Sequence, residues 1–355
     1  MHLQVDSRAN RWLVLSVMLF AAVLISFWAL LTHSSVSAQS CWRDTTCTGA
    51  TRPAFPGPWE RYNYSPNSRT VRPARIFNSD TSFLANWPGS SQLRGNGSQL
   101  IFDFGKEVGG IVTVTYSATG SGSLGMAFTE ARNWTGEWSD SSNGSFNPDG
   151  ALYANITTTT KSNYTMPDAK MRGGFRYLTL FAVANYNSDI DVDILDIALE
   201  ISFQPAWPNL QAYGGYFYSD DDLINRIWWA GAYSLQLNAI PPTSGRAFPI
   251  LGSGWMNDDN LNLGTSGSTI NVDGAKRDRT LWAGDLAIAI PSILLSTGGD
   301  GVENSLQVLY NDQVNCESYA EPSLTLTCYR RIPENFHSLV LQSISTDLIL
   351  TTWRL

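Results

Sequence analysis

The chain has 355 residues and a formal charge of −8, which excludes a nucleic-acid binder, since that role needs a basic footprint. Charged residues make up 15% while Trp (13), Tyr (14) and Phe (15) are plentiful, which suits an exported protein that stacks sugars and equally an ordinary β-rich secreted domain. The histidines are His2, His33 and His337, and no cysteine lies between Cys47 and Cys316, so Ser-His-Asp, Cys-His and His-zinc chemistry are excluded from the body of the chain.

Residues 1–38 read as a signal peptide. Arg8 and Arg11 give a basic start, Trp12 to Leu31 is an apolar run broken by Ser16 and Ser26, and Val36-Ser37-Ala38 offers a cleavage pattern. The alternative is a retained anchor, because the run approaches the roughly 20 residues that span a bilayer. Cleavage predicts a secreted, extracellular protein with no membrane partner. Six N-x-[ST] signals (Asn63, Asn96, Asn133, Asn143, Asn155 and Asn163) fall in the first half and agree with export. Cys41 and Cys47 are close enough to close a small disulfide loop.

Residues 39–97 read as an extended lead-in with one or two strands. Residues 98–205 read as a β-sandwich domain, with strands at Leu100 to Phe104, Ile111 to Tyr116, Leu124 to Phe128, Phe175 to Phe181 and Ile190 to Phe203. Gly105-Lys106-Glu107 reads as a turn between the first two, and residues 133–150 as a loop. Residues 206–313 turn helical. Ser219 is placed as the cap of a first helix ending at Leu237, with Asp222 completing a capping box and Leu223, Ile227, Ala230, Gly231, Ser234 and Leu235 on the packed face. Gly284-Asp285 is placed as the cap of a second helix, Leu286 to Ser296, kinked at Pro291. A third starts at Val302. Residues 314–355, with Cys316 and Cys328, match no helical pattern and read as a tail foreign to the fold, such as an unspliced intron or a frameshift would leave, with a small terminal subdomain as the alternative.

The densest chemistry is Asp273 to Asp285, which packs acids, bases and Trp282 ahead of a helix. Glycosidic cleavage needs two carboxyls in different protonation states, and a Trp packs against the apolar face of a sugar ring. The bland reading of the same residues is a salt-bridged loop that caps a helix. Asp258-Asp259, after Trp255 and Asn257, read either as facing the mouth of the pocket or as capping a turn, and Trp255 is placed as a substrate-binding residue. Glu130, Glu137 and Asp140, among Trp134 and Trp138, read as a glycosylated surface loop rather than a site.

Asp273 to Asp285 resembles the signature of glycoside hydrolase family 78, the α-L-rhamnosidases, especially their fungal members. Phe102-Asp103-Phe104-Gly105-Lys106-Glu107-Val108-Gly109-Gly110, Gly174-Phe175-Arg176-Tyr177-Leu178 and Tyr216 to Ala239 are similar to that family's β-domain and first barrel helix, in the same order. The resemblance implies a β-sandwich followed by the start of an (α/α)6 six-hairpin barrel, truncated in this chain. It also implies hydrolysis of rhamnosides without metal or organic cofactor. By position Asp273 and Arg277 would hold sugar hydroxyls, Trp282 would form a hydrophobic wall, and Asp285 would cap the helix or touch the pocket. The family's general-acid Glu is replaced by Arg279, so Asp278 or Asp273 is left to protonate the leaving group. The base, late in the barrel, has no counterpart here. A carbohydrate-binding chain without turnover is therefore the principal rival, and a lyase acting on uronic-acid sugars a third reading.

Overall fold

A computed structural model of the chain describes residues 41–142, 148–246, 254–258, 261–277 and 279–315. The expected signal peptide, the tail beyond residue 315 with its two cysteines, and Asn143, Asp259 and Asp278 lie outside the described residues. Cys41 and Cys47 are bonded as a disulfide, with Cα atoms 5.2 Å apart.

The β-rich region is one antiparallel sheet of eight strands: β1 (Thr70–Val71), β2 (Arg75–Asn78), β3 (Phe83–Asn86), β4 (Ser91–Arg94), β5 (Gln99–Thr129), β6 (Leu152–Thr165), β7 (Arg172–Ala184) and β8 (Ile190–Ile201). The three strands expected between Leu100 and Phe128 are one continuous element. Its glycines bend it without ending it: Gly110 and Gly120 sit at φ +147 and +87, where a Cβ would collide with the carbonyls of Glu200 and Asp189. The expected turn at Gly105 to Glu107 is a break in register inside β5, between Asp103 and Val108.

Bending lets β5 serve the sheet three times. Its first residues pair with β2 and β7, its middle with β8, and its last residues with β7 again, while β6 runs along 113–126. The inward side chains share one core that includes Phe102, Val112, Leu124, Phe128, Phe175 and Ile194. Strands β1 to β4 fall in the stretch expected to be a lead-in, and they pair with β2, β5 and β8 as members of the sheet. Strand β6, with its run of β-branched threonines, is a further strand that the Ser/Thr-rich composition hides.

Three helices follow. Helix α1 (Asp222–Leu237) is capped by Asp221, whose carboxylate accepts from the amides of Leu223 (2.8 Å) and Ile224 (3.3 Å), so the cap is two residues later than Ser219. Its packed face also differs from the expected one. Asn225, Trp229, Ala232, Tyr233 and Gln236 are buried, whereas Leu223, Ile227, Ala230, Gly231 and Ser234 are exposed. The reason lies in size and hydrogen bonding. Trp229 stacks on Tyr213 at 5.6 Å, and Gln236 spans Tyr213 Oη and the Leu210 carbonyl. Those contacts win over the narrower aliphatic stripe.

Helix α2 (Ala283–Ser296) starts at Ala283 with Trp282 at the cap position, so Gly284 and Asp285 are inside the first turn. Pro291 lies within α2 on its exposed side. Leu286, Ile290 and Ile293 pack with Val302 of α3 (Asp300–Asn315) and with Leu235 of α1 in a second cluster. A two-stranded ladder, β9 (Ala239–Ile240) with β10 (Ile270–Asn271), leads from α1 into the loop ahead of α2.

Candidate functional site

The loop after β10 is closed by Asp273. Its amide donates to the Thr280 carbonyl (3.2 Å), and its carboxylate accepts from the Thr280 amide (3.1 Å). Arg279 sits in this closure at φ +43 and is fully buried. Its guanidinium donates from Nε to the Ser244 carbonyl (3.2 Å) and from Nη1 to Asn257 Oδ1 (2.9 Å), while its own carbonyl accepts from the Arg246 amide. Arg246, also fully buried, donates to the Met256 carbonyl. Arg279 is thus an internal brace between the loop and residues 244–257.

The same loop lies on the sheet. The Gly174 amide donates to the Ala275 carbonyl (2.8 Å), and a Cβ at Gly173 would collide with that oxygen. Gly174 in turn leaves room for the Glu107 carboxyl. Tyr233 of α1 donates its hydroxyl to the Glu107 carbonyl (2.6 Å). One strand over, Arg176 holds the fully buried Asp103 through two bonds of 2.7 and 3.0 Å. Segments 102–110, 172–178, 216–239 and 273–285 therefore meet at one place.

An open cleft of about 460 Å³ lies beside them, lined by Glu107, Glu130, Ser234, Asn238, Lys276 and Arg277 among others. Lys276 crosses it to pair with Glu130 (2.8 Å) and Asp140 (3.3 Å). Behind them, buried Arg172 pairs with Asp140 and with the fully buried Asp149, both at 2.8 Å, so a chain of ion pairs runs from the core to the cleft. Glu107 stands apart. Among the described residues no group hydrogen-bonds or pairs with its carboxyl. Burial, joined by the charges of Glu130 and Asp140 and opposed by Lys276, pushes it up to about 7.

Of the residues singled out in the sequence, Arg277 is on the cleft and exposed. Asp273 is half-buried at the loop closure, beside the lining residue Gly274. Asp278 lies outside the described residues. Trp282, 46% exposed, is at the entry of α2 and Asp285 on its first turn, and neither is among the residues that line the cleft. Trp255 packs edge-on against Phe128 (5.9 Å), with the Arg172 guanidinium 6.0 Å from its ring centre, so its indole is committed to the sheet. Among the described residues no three His, Cys, Asp or Glu side chains converge as metal ligands. Sequence reasoning passed over Glu107 and Lys276 as site residues. The signal for Glu107 was an acid between the glycines of a β-branched strand.

No family model and no curated protein matches the chain. Among solved structures it is similar to a rhamnosidase from Klebsiella oxytoca with rhamnose bound, at TM-score 0.45 and 15% identity over 71% of this chain and 46% of that one. A family 78 rhamnosidase of Bacillus sp. GL1 gives TM-score 0.42 and 18% identity over 62% of this chain and 18% of that one. The α-L-rhamnosidase of Dictyoglumus thermophilum gives 0.41 and 15% over 72% and 22%. The chain spans less than half the length of each of these structures. These three solved structures are rhamnosidases of glycoside hydrolase family 78, the family that the chain's motifs resemble.

Proposed function

We propose that the chain is a secreted glycoside hydrolase-like protein of the α-L-rhamnosidase type, removing terminal rhamnose from plant glycosides or polysaccharides by carboxylate acid–base catalysis without a cofactor. The observation that carries this reading is the convergence of the resembling segments. Gly174 holds Ala275, Arg176 holds Asp103, and Tyr233 holds the Glu107 backbone, and Glu107 and Ala275 line one polar cleft. The Cys41–Cys47 disulfide supports export to an oxidising compartment.

In this reading the sheet is a β-sandwich and α1 to α3 are the opening helices of an (α/α)6 barrel. Support for the barrel comes from the apolar side chains that α1 and α2 leave uncovered, including Ile227 at 62% and Ile288 at 84% exposure. Arg277 at the cleft is suited to hold a sugar hydroxyl, and the exposed Trp282 offers a ring face to a sugar's C–H groups. Asp278 or Asp273 then supplies the proton to the leaving oxygen.

The test is rhamnose release from p-nitrophenyl α-L-rhamnoside by the intact protein. Asp273→Asn is expected to lower kcat/KM by about a hundredfold or more, the usual scale for an acid–base group. Full activity in that variant sinks the site assignment. A second reading, saccharide binding without turnover, is favoured by one observation: Arg279, where the family places its acid, is a buried brace. Rhamnoside binding with no release of product would establish it.

A further inference from the structure

Strand β6 lies at an edge of the sheet. Among the described residues it pairs with β5 alone, so no strand runs along the far side of its 14 residues. Such an edge is a template for pairing with another chain, and proteins guard it with charge, proline, bulges or short length. Here the guards are few. Leu152 to Thr160 holds no charged residue, no Pro and no Gly, and its Ile and Thr side chains favour extended backbone. Lys161 is the one charge in the strand, and its ladder to β5 is irregular between Thr157 and Ser162.

The outward face of the same strand carries two N-x-[ST] signals. Alternation sends Leu152, Ala154 and Ile156 into the core and leaves Asn155, Thr157, Asn163 and Thr165, the residues of both signals, exposed. Neither Asn side chain has a hydrogen-bond partner among the described residues. Opposite them on β5 stand Ser123, Ser121, Thr115 and Thr113, small hydroxyl side chains that leave room for a bulky group. At about 3.3 Å per residue the two Asn are roughly 26 Å apart, one over each half of the strand. The other described signals differ. Asn63 is half-buried, its Oδ1 accepts from the Ser65 amide (2.9 Å), and its Nδ2 donates to the Gln211 carbonyl (3.2 Å). Asn96 and Asn133 are exposed, but on turns rather than on an edge strand.

We propose that Asn155 and Asn163 carry N-linked glycans and that these glycans guard the β6 edge. The co-reactant is a lipid-diphosphate-linked oligosaccharide. Asn Nδ2 forms a bond to C1 of the first sugar, the C1–O bond to the diphosphate breaks, and Nδ2 gives up one proton. A strand added to the edge would set its side chains about 5 Å from each Asn Cβ, within the space that a glycan fills. The proposal rests on the export stated above, because the transfer takes place in the secretory lumen.

The experiment expresses the full chain in a eukaryotic secretory host and reads each signal by glycopeptide mass spectrometry, with peptide-N-glycosidase F in heavy-oxygen water to mark occupied Asn. Asn155 and Asn163 are expected to be occupied, and Asn63, whose amide is used at both ends, to be bare. If the chain is exported and glycosylated elsewhere while Asn155 or Asn163 is bare, the proposal is wrong and export stands. If the chain stays in the cell with every signal bare, export fails and the proposal with it. The guarding role is read from two double variants at these exposed positions, Asn155→Gln with Asn163→Gln and Asn155→Lys with Asn163→Lys. The Gln pair is expected to lose its monomer peak in size-exclusion chromatography and to gain thioflavin T fluorescence. The Lys pair lacks the same glycans but puts charge on the edge, so it is expected to stay monomeric, which separates an open edge from a misfolded chain. A Gln pair as monomeric as the glycosylated wild type overturns the guarding role.

Discussion

Strand β5 and its partners turn most of their apolar side chains inward: Phe102, Val112, Leu124, Phe128, Phe175 and Ile194 are at 0% exposure. Even the charges taken inside have partners, Asp103 with Arg176 and Asp149 with Arg172. Helices α1 and α2 do the opposite. Each buries one face in the molecule and turns another, with Leu223, Ile227 and Ile288, to the outside. The sheet is a closed core, and the helices are half of a packing problem. The 273–277 loop sits between them, but its contacts to Gly173, Gly174, Glu130 and Asp140 tie it to the sheet.

The largest effect is expected where the closed core holds a charge pair. Arg172 and Asp149 are both fully buried, and Arg172→Met leaves Asp149 without its cation. Breaking a buried pair from one side costs about 3–5 kcal/mol. Denaturant unfolding should show that loss, and adding Asp149→Asn should recover much of it. A loss no larger than that of a surface substitution would mean that water reaches this pair and that the core is less closed than described.

Next is the seat of the loop. Gly173→Ala puts a methyl group into the Ala275 carbonyl, with Arg279 Cδ 3.0 Å away, and backbone on both sides cannot yield cheaply. Overpacking of this kind costs roughly 1–3 kcal/mol. The displaced loop should also carry Lys276 out of reach of Glu130, so saccharide binding falls with stability. Unchanged stability together with unchanged binding would detach the loop from the sheet and assign it to the helices.

Glu107 gives a smaller effect with a sign. Its pKa is raised from 4.5 unfolded to about 7 folded, so the folded state holds the proton more tightly between those values. The stability it contributes is full below about pH 4.5 and is lost as pH rises through about 7. Burial and the charges of Glu130 and Asp140 cause the rise, and solvent in the open cleft screens it, so the loss is on the order of 1–2 kcal/mol. Melting temperatures of the wild type should fall across this window more steeply than those of Glu107→Gln. Parallel curves would mean that the carboxyl is solvated in the folded protein.

The sequence shows the closed core better than it shows the open part. Alternating and β-branched residues at 111–116, 175–181 and 190–201 mark strands because the core that rewards them is made by those same residues. Strand β6 is hidden by its threonines, and β5 is divided on paper because a glycine that bends a strand reads like one that ends it. The packed face of α1 is misread for another reason. An aliphatic stripe marks a face that something covers, and in the described molecule Trp229, Tyr233 and Gln236 find partners on the other side. At the site, Asp273 to Asp285 is legible as a cluster, but the buried place of Arg279 is not. A guanidinium among carbonyls and an Asn is set by long-range packing, which local pattern does not encode. Glu107 stands within a recognisable motif, but its enclosure is not legible there, because it exists only once Gly174 and Ala275 close over it.

The smallest effect tests the open face directly. Ile227→Lys and Ile288→Lys replace side chains that are 62% and 84% exposed, so the folded state loses little contact. Surface changes of this kind stay within about 0.5 kcal/mol. Their effect should fall on association instead: uncovered apolar helix faces drive self-association, and two lysines should suppress it in sedimentation at high concentration. If either variant instead unfolds the protein by well over 1 kcal/mol, that face is covered within the chain and the contrast between sheet and helices disappears. If stability holds and association falls, the face is available for further helices, as the opening helices of a barrel require.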